Sequence, residues 1–400
     1  MNTFNVPNRG LRGGLNIDSV ALALALSIVL LGLIMVTSAS ISIASREGGF
    51  PLAYLQRQFV LTACGLACGA VLFCIRPEFI EKNSTVLLTL AVALLVMVLV
   101  PGLGHVVNGS RRWIRFAGFN VQASEVVRVL ALLYVASYAV RRETELRTTF
   151  AGLMKPLGVL LVLAVLLLME PDFGAAAVLV VTGFGLLFLA GARLRWVLAL
   201  TLGLASLGAM AVMLAPYRMR RLMTFLDPWA DPFNSGFQLT QSLIAIGRGE
   251  WFGVGLGASV QKLFYLPEAH TDFLFAVLAE ELGLVGVAVT LALFLALVWR
   301  VFYIARVAAD AGLKFQAYVA SAFGLWLGIQ AFINIGVNMG ALPTKGLTLP
   351  LMSYGRSSLI VTLAWFGLVM RSYHDALAQR RGSASPQRRA AAAPAVEQPA

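Results

Sequence analysis

Ten long apolar runs divide this chain, at about residues 17–38, 53–75, 84–101, 123–140, 155–169, 174–191, 194–215, 272–303, 315–338 and 355–371. A run of roughly 18 apolar residues is enough to cross the hydrocarbon core of a bilayer as a helix. Such a segment must satisfy its own backbone polar groups, because lipid offers them no partner. The runs therefore predict an all-α polytopic membrane protein of about ten transmembrane helices, the fifth short and the eighth long. The composition agrees: 12% of residues are charged, against about 25% in soluble domains. Ile17–Thr37 is too long for the apolar core of a cleavable signal, and no small-residue cleavage site follows it.

An even number of spans places both termini on one side. Eighteen Arg and Lys residues then fall on one set of short loops and tails and seven on the other. The excess marks the cytoplasmic side, so both termini are expected inside and the long polar loop 216–271 outside. The formal charge of +12 follows from this topology and from attraction to anionic lipid, not from nucleic-acid binding. The expected organisation is a cytoplasmic tail over 1–16, a membrane domain over 17–372, and a disordered cytoplasmic tail over 373–400, rich in Ala, Arg, Gln and Pro. Cys64, Cys68 and Cys74 share the second run without His or carboxylate at ligand spacing, which reads as small buried residues rather than a metal site or disulfide. No internal repeat is visible, which counts against a repeat-built transporter.

Chemistry is sought where charge meets the membrane surface. Asn108-Gly-Ser-Arg-Arg-Trp-Ile-Arg115 carries Trp113, an interfacial anchor, with Arg111, Arg112 and Arg115, which suit either lipid head groups or a diphosphate. Glu125 and Arg128 stand three residues apart on one helix face, as a structural pair or a substrate contact. In Met169-Glu-Pro-Asp-Phe-Gly174, Asp172 is read as a helix cap ahead of a direct role. The long loop begins with Arg218-Met-Arg-Arg-Leu-Met-Thr-Phe-Leu-Asp-Pro228, basic and apolar as an interfacial helix would be. Five glycines between 247 and 257 allow close backbone approach. That stretch is expected to form a re-entrant hairpin offering amides to a phosphate.

The loop closes on Tyr265-Leu-Pro-Glu-Ala-His-Thr-Asp272, where Glu268, His270 and Asp272 gather at the start of the eighth run. A carboxylate at that boundary can have its proton affinity tuned while still reaching a water-soluble group. Thr271 is the expected helix cap, leaving Asp272 to point into a cavity. Glu280 and Glu281, two turns deeper and about 100° apart around the helix, are secondary candidates, since carboxylates at membrane depth are costly. The last outer segment offers Lys345 as a flexible cation and Ser353 as a hydroxyl donor or cap. Without a Gly-x-Ser-x-Gly elbow, a serine nucleophile is rejected.

Taken together, Leu266-Pro-Glu-Ala-His-Thr-Asp-Phe273, Ala279-Glu-Glu-Leu-Gly283, Glu170-Pro-Asp-Phe-Gly174, and Arg112-Trp113 with Ser124-Glu125 resemble the SEDS family (shape, elongation, division and sporulation). These are membrane glycosyltransferases that polymerise peptidoglycan from lipid II. The resemblance runs from about Ile17 to Tyr373. Ser259-Val-Gln-Lys-Leu263 and Leu342-Pro-Thr-Lys-Gly-Leu-Thr-Leu-Pro350 resemble the cell-division branch more than the elongation branch. The chain departs from the family pattern at Arg356, where glycine is usual, and at Ala123, where proline is common.

The resemblance implies that Asp272 is essential; the residues themselves suggest that it acts as general base, with Arg112, Glu125, Arg218, Lys262, Glu268, His270, Lys345 and Ser353 as candidate substrate contacts. It implies lipid II and a nascent glycan strand as substrates. The expected partners are a class B penicillin-binding transpeptidase, other division proteins and membrane lipids, at the septum of a bacterial inner membrane. No metal-ligand cluster is evident, although a divalent cation (Mg or Mn) could bridge the diphosphate. Two rival readings are a flippase for the lipid-linked precursor and a non-catalytic scaffold. A flippase predicts ionisable residues spread through the bilayer; here most lie at the outer face.

Overall fold

Each apolar run becomes a helix for the reason that predicts it. The computed structural model describes residues 15–46, 50–102, 104–107, 110–116, 119–214, 216–234 and 236–391. The chain forms α1 (Ser19–Arg46), α2 (Ala53–Cys74), a short α3 (Pro77–Lys82) and α4 (Ser84–Leu99). A sheet of β1 (Gly104–Val107), β2 (Ser110–Phe116) and β3 (Phe119–Gln122) follows. Then come α5 (Ala123–Arg141), α6 (Glu143–Thr148), α7 (Phe150–Met169), α8 (Phe173–Leu189) and α9 (Leu194–Met213). The long loop holds α10 (Pro216–Leu226) and α11 (Phe237–Gly249), and the chain ends with α12 (Leu274–Asp310), α13 (Lys314–Asn338) and α14 (Arg356–Ala391).

Among the described residues, α1, α2, α5, α7, α12 and α13 are long and apolar enough to cross a membrane, with shorter apolar helices in α4, α8 and α9. The protein is an all-α polytopic membrane protein carrying one small sheet. α5 and α13 are the most enclosed spans. Trp326 of α13 stacks on Trp365 of α14 at 5.6 Å between ring centres. α2 and α14 cross closely because glycines meet there: a side chain at Gly367 would place its first carbon 2.1 Å from the Gly69 carbonyl. Small residues at crossings are how membrane helices gain contact without a hydrophobic drive between them.

Four features differ from the sequence expectation. The strands β1, β2 and β3 form an antiparallel meander in that order, with Trp113 opposite both His105 and Gln122. The Asn108-Gly109 dipeptide between β-rich runs is a hairpin signal, overlooked because the segment reads first as a charged loop. α14 continues past Tyr373 to Ala391 where disorder is expected. Its Ala- and Arg-rich sequence extends an existing helix, which needs no new nucleation. Arg371 pairs with Asp375, and Arg380 with Asp310 of α12. Cys64, Cys68 and Cys74 are free and exposed on α2, not buried.

The fourth difference is a break. The eighth run is not one continuous helix: Gly283 leaves helical geometry at φ 64°, ψ −164°. The freed backbone groups are taken up by the glycine-rich loop. The amides of Val254 and Gly255 donate to the carbonyls of Glu280 and Glu281 at 2.9 and 3.1 Å. In return Leu284 and Val285 donate to the carbonyls of Glu250 and Trp251. A broken helix in a membrane survives only when such partners exist. The glycines therefore serve this approach, and the two loop amides are spent on α12 rather than displayed to a phosphate. A first side-chain carbon at Gly249 or Gly253 would lie 1.9 or 2.1 Å from a carbonyl of α12.

The Gly283→Ala variant should be the least tolerated of the small substitutions. It would strain a left-handed backbone and drive a carbon to 2.3 Å from the Gly253 amide nitrogen. A loss on the order of 3 kcal/mol is expected from strain and overpacking together, read as a lowered unfolding temperature in detergent; an unchanged temperature would refute the splice as a structural constraint.

Candidate functional site

Asp272 stands one residue before the Phe273 cap position of α12. Its backbone is fixed from α13: Asn334 and Asn338 both donate side-chain amides to the Asp272 carbonyl, at 2.8 and 3.1 Å. Asn334 also donates to the Leu347 carbonyl at 2.6 Å, and Asn338 accepts from the Ala276 amide at 3.2 Å. Two asparagines one turn apart thus tie the entrance of α12 to the segment after α13. That segment brings Gly346 against the carboxylate, where a side chain would place its first carbon 3.0 Å from Asp272 Oδ2. Thr271 is not the cap expected from sequence; its hydroxyl donates to the Glu268 carboxylate at 2.7 Å.

This setting changes the chemistry of Asp272. Burial pushes its carboxyl up to about 7; the negative charge of Glu268 adds to the rise, and Arg112 opposes it. A carboxylate whose proton affinity lies near neutral pH can both hold and release a proton under working conditions.

The α7–α8 turn, Glu170-Pro171-Asp172, faces the same region. Asp172 accepts from the Ala175 amide at 3.1 Å and so caps α8; Gln122 and Ser124 also donate to it. Arg112, reaching across from β2, donates to the carbonyls of Glu170 and Pro171 at 3.2 and 2.5 Å. The Lys345 ammonium lies 4.3 Å from the centre of the Phe173 ring. Glu170 itself is fully buried, with neither carboxylate oxygen hydrogen-bonded. Burial pushes its carboxyl up to about 8, helped by Asp172 and opposed by Arg112. Sequence reasoning passed over Glu170; a carboxylate ending an apolar run just before a proline was the available signal.

Other sequence-predicted residues have different surroundings. Lys262 is buried, and its ammonium meets Glu281 at 2.9 Å and the Ser38 hydroxyl at 3.0 Å. Ser38 also donates to Glu281. Glu280 accepts from the Ser259 hydroxyl and the amides of Val260 and Gln261, and pairs with Arg248. These contacts tie the loop to α12 and occupy Lys262, Glu280 and Glu281 with one another and with the loop. Glu125 pairs with Arg128, which reaches Gln330 at 2.7 Å and lies over the Trp326 ring. This is the structural alternative for the pair. Ser353 is buried and accepts from the Leu349 amide at 3.0 Å, bracing a turn instead of facing substrate. His270 packs between Tyr54 and Tyr354, at 5.3 and 5.6 Å between ring centres. The side chain of Arg218 lies outside the described residues. Among the described residues no three His, Cys, Asp or Glu converge as a metal site.

The chain is similar to known proteins over most of its length. The FtsW/RodA/SpoVE family, described as cell cycle proteins, matches residues 18–376. A relative from Thioalkalivibrio sulfidiphilus, described as a probable peptidoglycan glycosyltransferase FtsW, is 57% identical over 351 residues, 88% of each chain. A similarly described protein from Methylococcus capsulatus is 51% identical over 93% of each. Among solved structures, one of a peptidoglycan synthase complex coordinating polymerization and crosslinking superposes with a TM-score of 0.74 at 33% identity, covering 91% of this chain and 99% of that one. The rod shape determining protein RodA of Thermus thermophilus gives 0.66 at 29% identity, covering 90% and 98%.

Removing Lys262 alone should strand a buried carboxylate. The Lys262→Met variant is expected to lose about 3–5 kcal/mol of stability, and Lys262→Met with Glu281→Leu to recover most of it. Thermal unfolding of the two variants in detergent would check this; equal losses would show that the ion pair is not what holds the loop.

Proposed function

The chain belongs to the FtsW/RodA/SpoVE family of cell cycle proteins, and from that premise we propose that it is a peptidoglycan glycosyltransferase of the cell-division branch. It joins lipid II into β-1,4-linked glycan strands. The observation that carries this reading is Asp272: a carboxyl lifted to about 7, on a backbone held by two asparagines, at the entrance of a broken membrane helix.

In the reaction, Asp272 accepts the proton of the acceptor sugar hydroxyl as that oxygen attacks the anomeric carbon of the donor. The bond from that carbon to the diphosphate breaks at the same time, and undecaprenyl diphosphate departs with the electron pair. One displacement inverts the α-linked donor to a β-linked product, so one base suffices. A sugar hydroxyl is too weak an acid to ionise beforehand, which makes proton transfer and attack concerted. Charge growing on the diphosphate needs cations nearby. Arg112 and Lys345, both partly exposed, suit that task, with Arg218 on α10 as a third; Lys262, committed to Glu281, does not. Any divalent ion (Mg or Mn) is assigned to the diphosphate, and no step depends on it.

The protein is an integral inner-membrane protein. Its basic residues support cytoplasmic termini and an outer face for the site. Septal location and a class B penicillin-binding transpeptidase partner are the family counterpart of this activity, in keeping with the synthase complex that the chain resembles in structure.

Purified chain, with and without its transpeptidase partner, is expected to convert labelled lipid II into glycan strands. Asp272→Asn should abolish polymer while retaining the unfolding temperature; wild-type-like polymer from that variant would refute the assignment. The base must be ionised, so kcat/KM should fall about tenfold per unit as pH drops below about 7. A profile flat from pH 5 to 8 would exclude Asp272 as the base.

A further inference from the structure

Glu170 has no part in the reaction as derived, yet it is the least explained charge near it. It is fully exposed to protein and not at all to solvent, and neither carboxylate oxygen has a hydrogen-bond partner. An ionised carboxylate in that position carries the full penalty of desolvation; a protonated one carries the much smaller cost of an unpaired neutral polar group. A cation is at hand and makes no hydrogen bond to it. Arg112 spends two N–H groups on the carbonyls of Glu170 and Pro171, while the carboxyl group beside them is left alone. A guanidinium meeting an ionised carboxylate at such range would favour the forked pairing that is among the strongest side-chain contacts.

The neighbouring groups point the same way. Asp172 adds negative charge from the same turn. From α5, Arg128 is paired with Glu125 and feels the field of Asp172. Gln122 and Ser124 are hydrogen-bonded to Asp172. Lys345 lies over the Phe173 ring, and Arg112 remains the cation acting on both Glu170 and Asp272. Asp272 and Glu268 complete the set, Glu268 raising and Arg112 lowering the proton affinity of Asp272.

We propose that Glu170 is a positioning residue that stays protonated in the working enzyme, leaving the charge of Arg112 uncompensated for the anionic substrate beside Asp272. This rests on the glycosyltransferase reading given above. When Glu170 loses its proton to solvent, the new carboxylate competes for the guanidinium and draws it from the substrate. Activity then has an alkaline limit set by a residue that never touches the sugar.

The test compares wild type with Glu170→Gln, which mimics the protonated acid in shape, across pH 6 to 9.5. Two readouts are taken: lipid II polymerisation, and the infrared band of a protonated carboxyl group in the detergent-solubilised chain. Wild type is expected to lose kcat/KM about tenfold per unit above about 8. Glu170→Gln should polymerise at pH 7 and keep its activity beyond that point. The part of that band that depends on Glu170, taken as wild type minus Glu170→Gln, should be present at pH 7 and fade through about 8, while the contribution of Asp272 is common to both proteins. Stability gives the sign independently. A carboxyl with raised proton affinity in the folded state costs stability as pH rises from the ordinary carboxylate range to about 8. Wild type should therefore fall progressively below Glu170→Gln over that window and by a constant amount above it. Parallel alkaline losses in the two proteins, or no Glu170-dependent band at pH 7, would overturn the proposal. A normal band with no polymer from either protein would instead sink the reaction, and the link to turnover with it.

Discussion

The break at Gly283 is the constraint on which the outer half of the structure depends. A helix interrupted within the membrane frees amides and carbonyls that lipid cannot satisfy. Here one loop supplies four backbone hydrogen bonds across the break, from Glu250, Trp251, Val254 and Gly255. The same loop is clamped by two carboxylates, Glu280 and Glu281, which gather Ser259, Val260, Gln261, Lys262, Arg248 and Ser38. Splice and clamp fix where the chain stands when it re-enters the bundle. Asp272 is the consequence: it arrives at a defined place because the twenty residues before it have nowhere else to go.

The charges sort into two kinds by how their burial is met. Inside the spans they are neutralised in pairs, as with Glu281 and Lys262, Glu125 and Arg128, or Asp18 and Arg300. Such pairs fix geometry more than they add stability, since the desolvation of two ions offsets most of their attraction. At the outer site Asp272 and Glu170 meet no cation face to face, and burial is answered by a raised affinity for protons. The first kind sustains a scaffold. The second makes groups that exchange protons near neutral pH, in two turns that Arg112 influences.

Pairing within the spans also bears on the rival functions. A flippase would need ionisable groups available along a path through the bilayer. Glu280 and Glu281, the deepest carboxylates of α12 near the site, are already spent on the loop. Asp272 and Glu170 stand at the ends of α12 and α7 rather than within them.

How much of this was legible in the sequence depended on the range of the interactions involved. The spans, their helical state, the Asp172 cap and the motif around Asp272 are local or compositional, and they can be read from runs of residues. The hairpin at 104–122 was also written locally, in Asn108-Gly109, but was masked by its charge. What could not be read is who meets whom. Lys262 and Glu281 both looked like substrate groups because an unpaired charge near a membrane is suspicious until its partner is known. Glu170 looked like filler because its lack of a partner is a fact about three dimensions. Sequence alone therefore determined a bundle of membrane helices with an acidic residue at the mouth of the eighth. Only the tertiary structure decided which charges cancel and which remain to react, because the distance and solvent access that settle a charge's energy are set by residues far away in the chain.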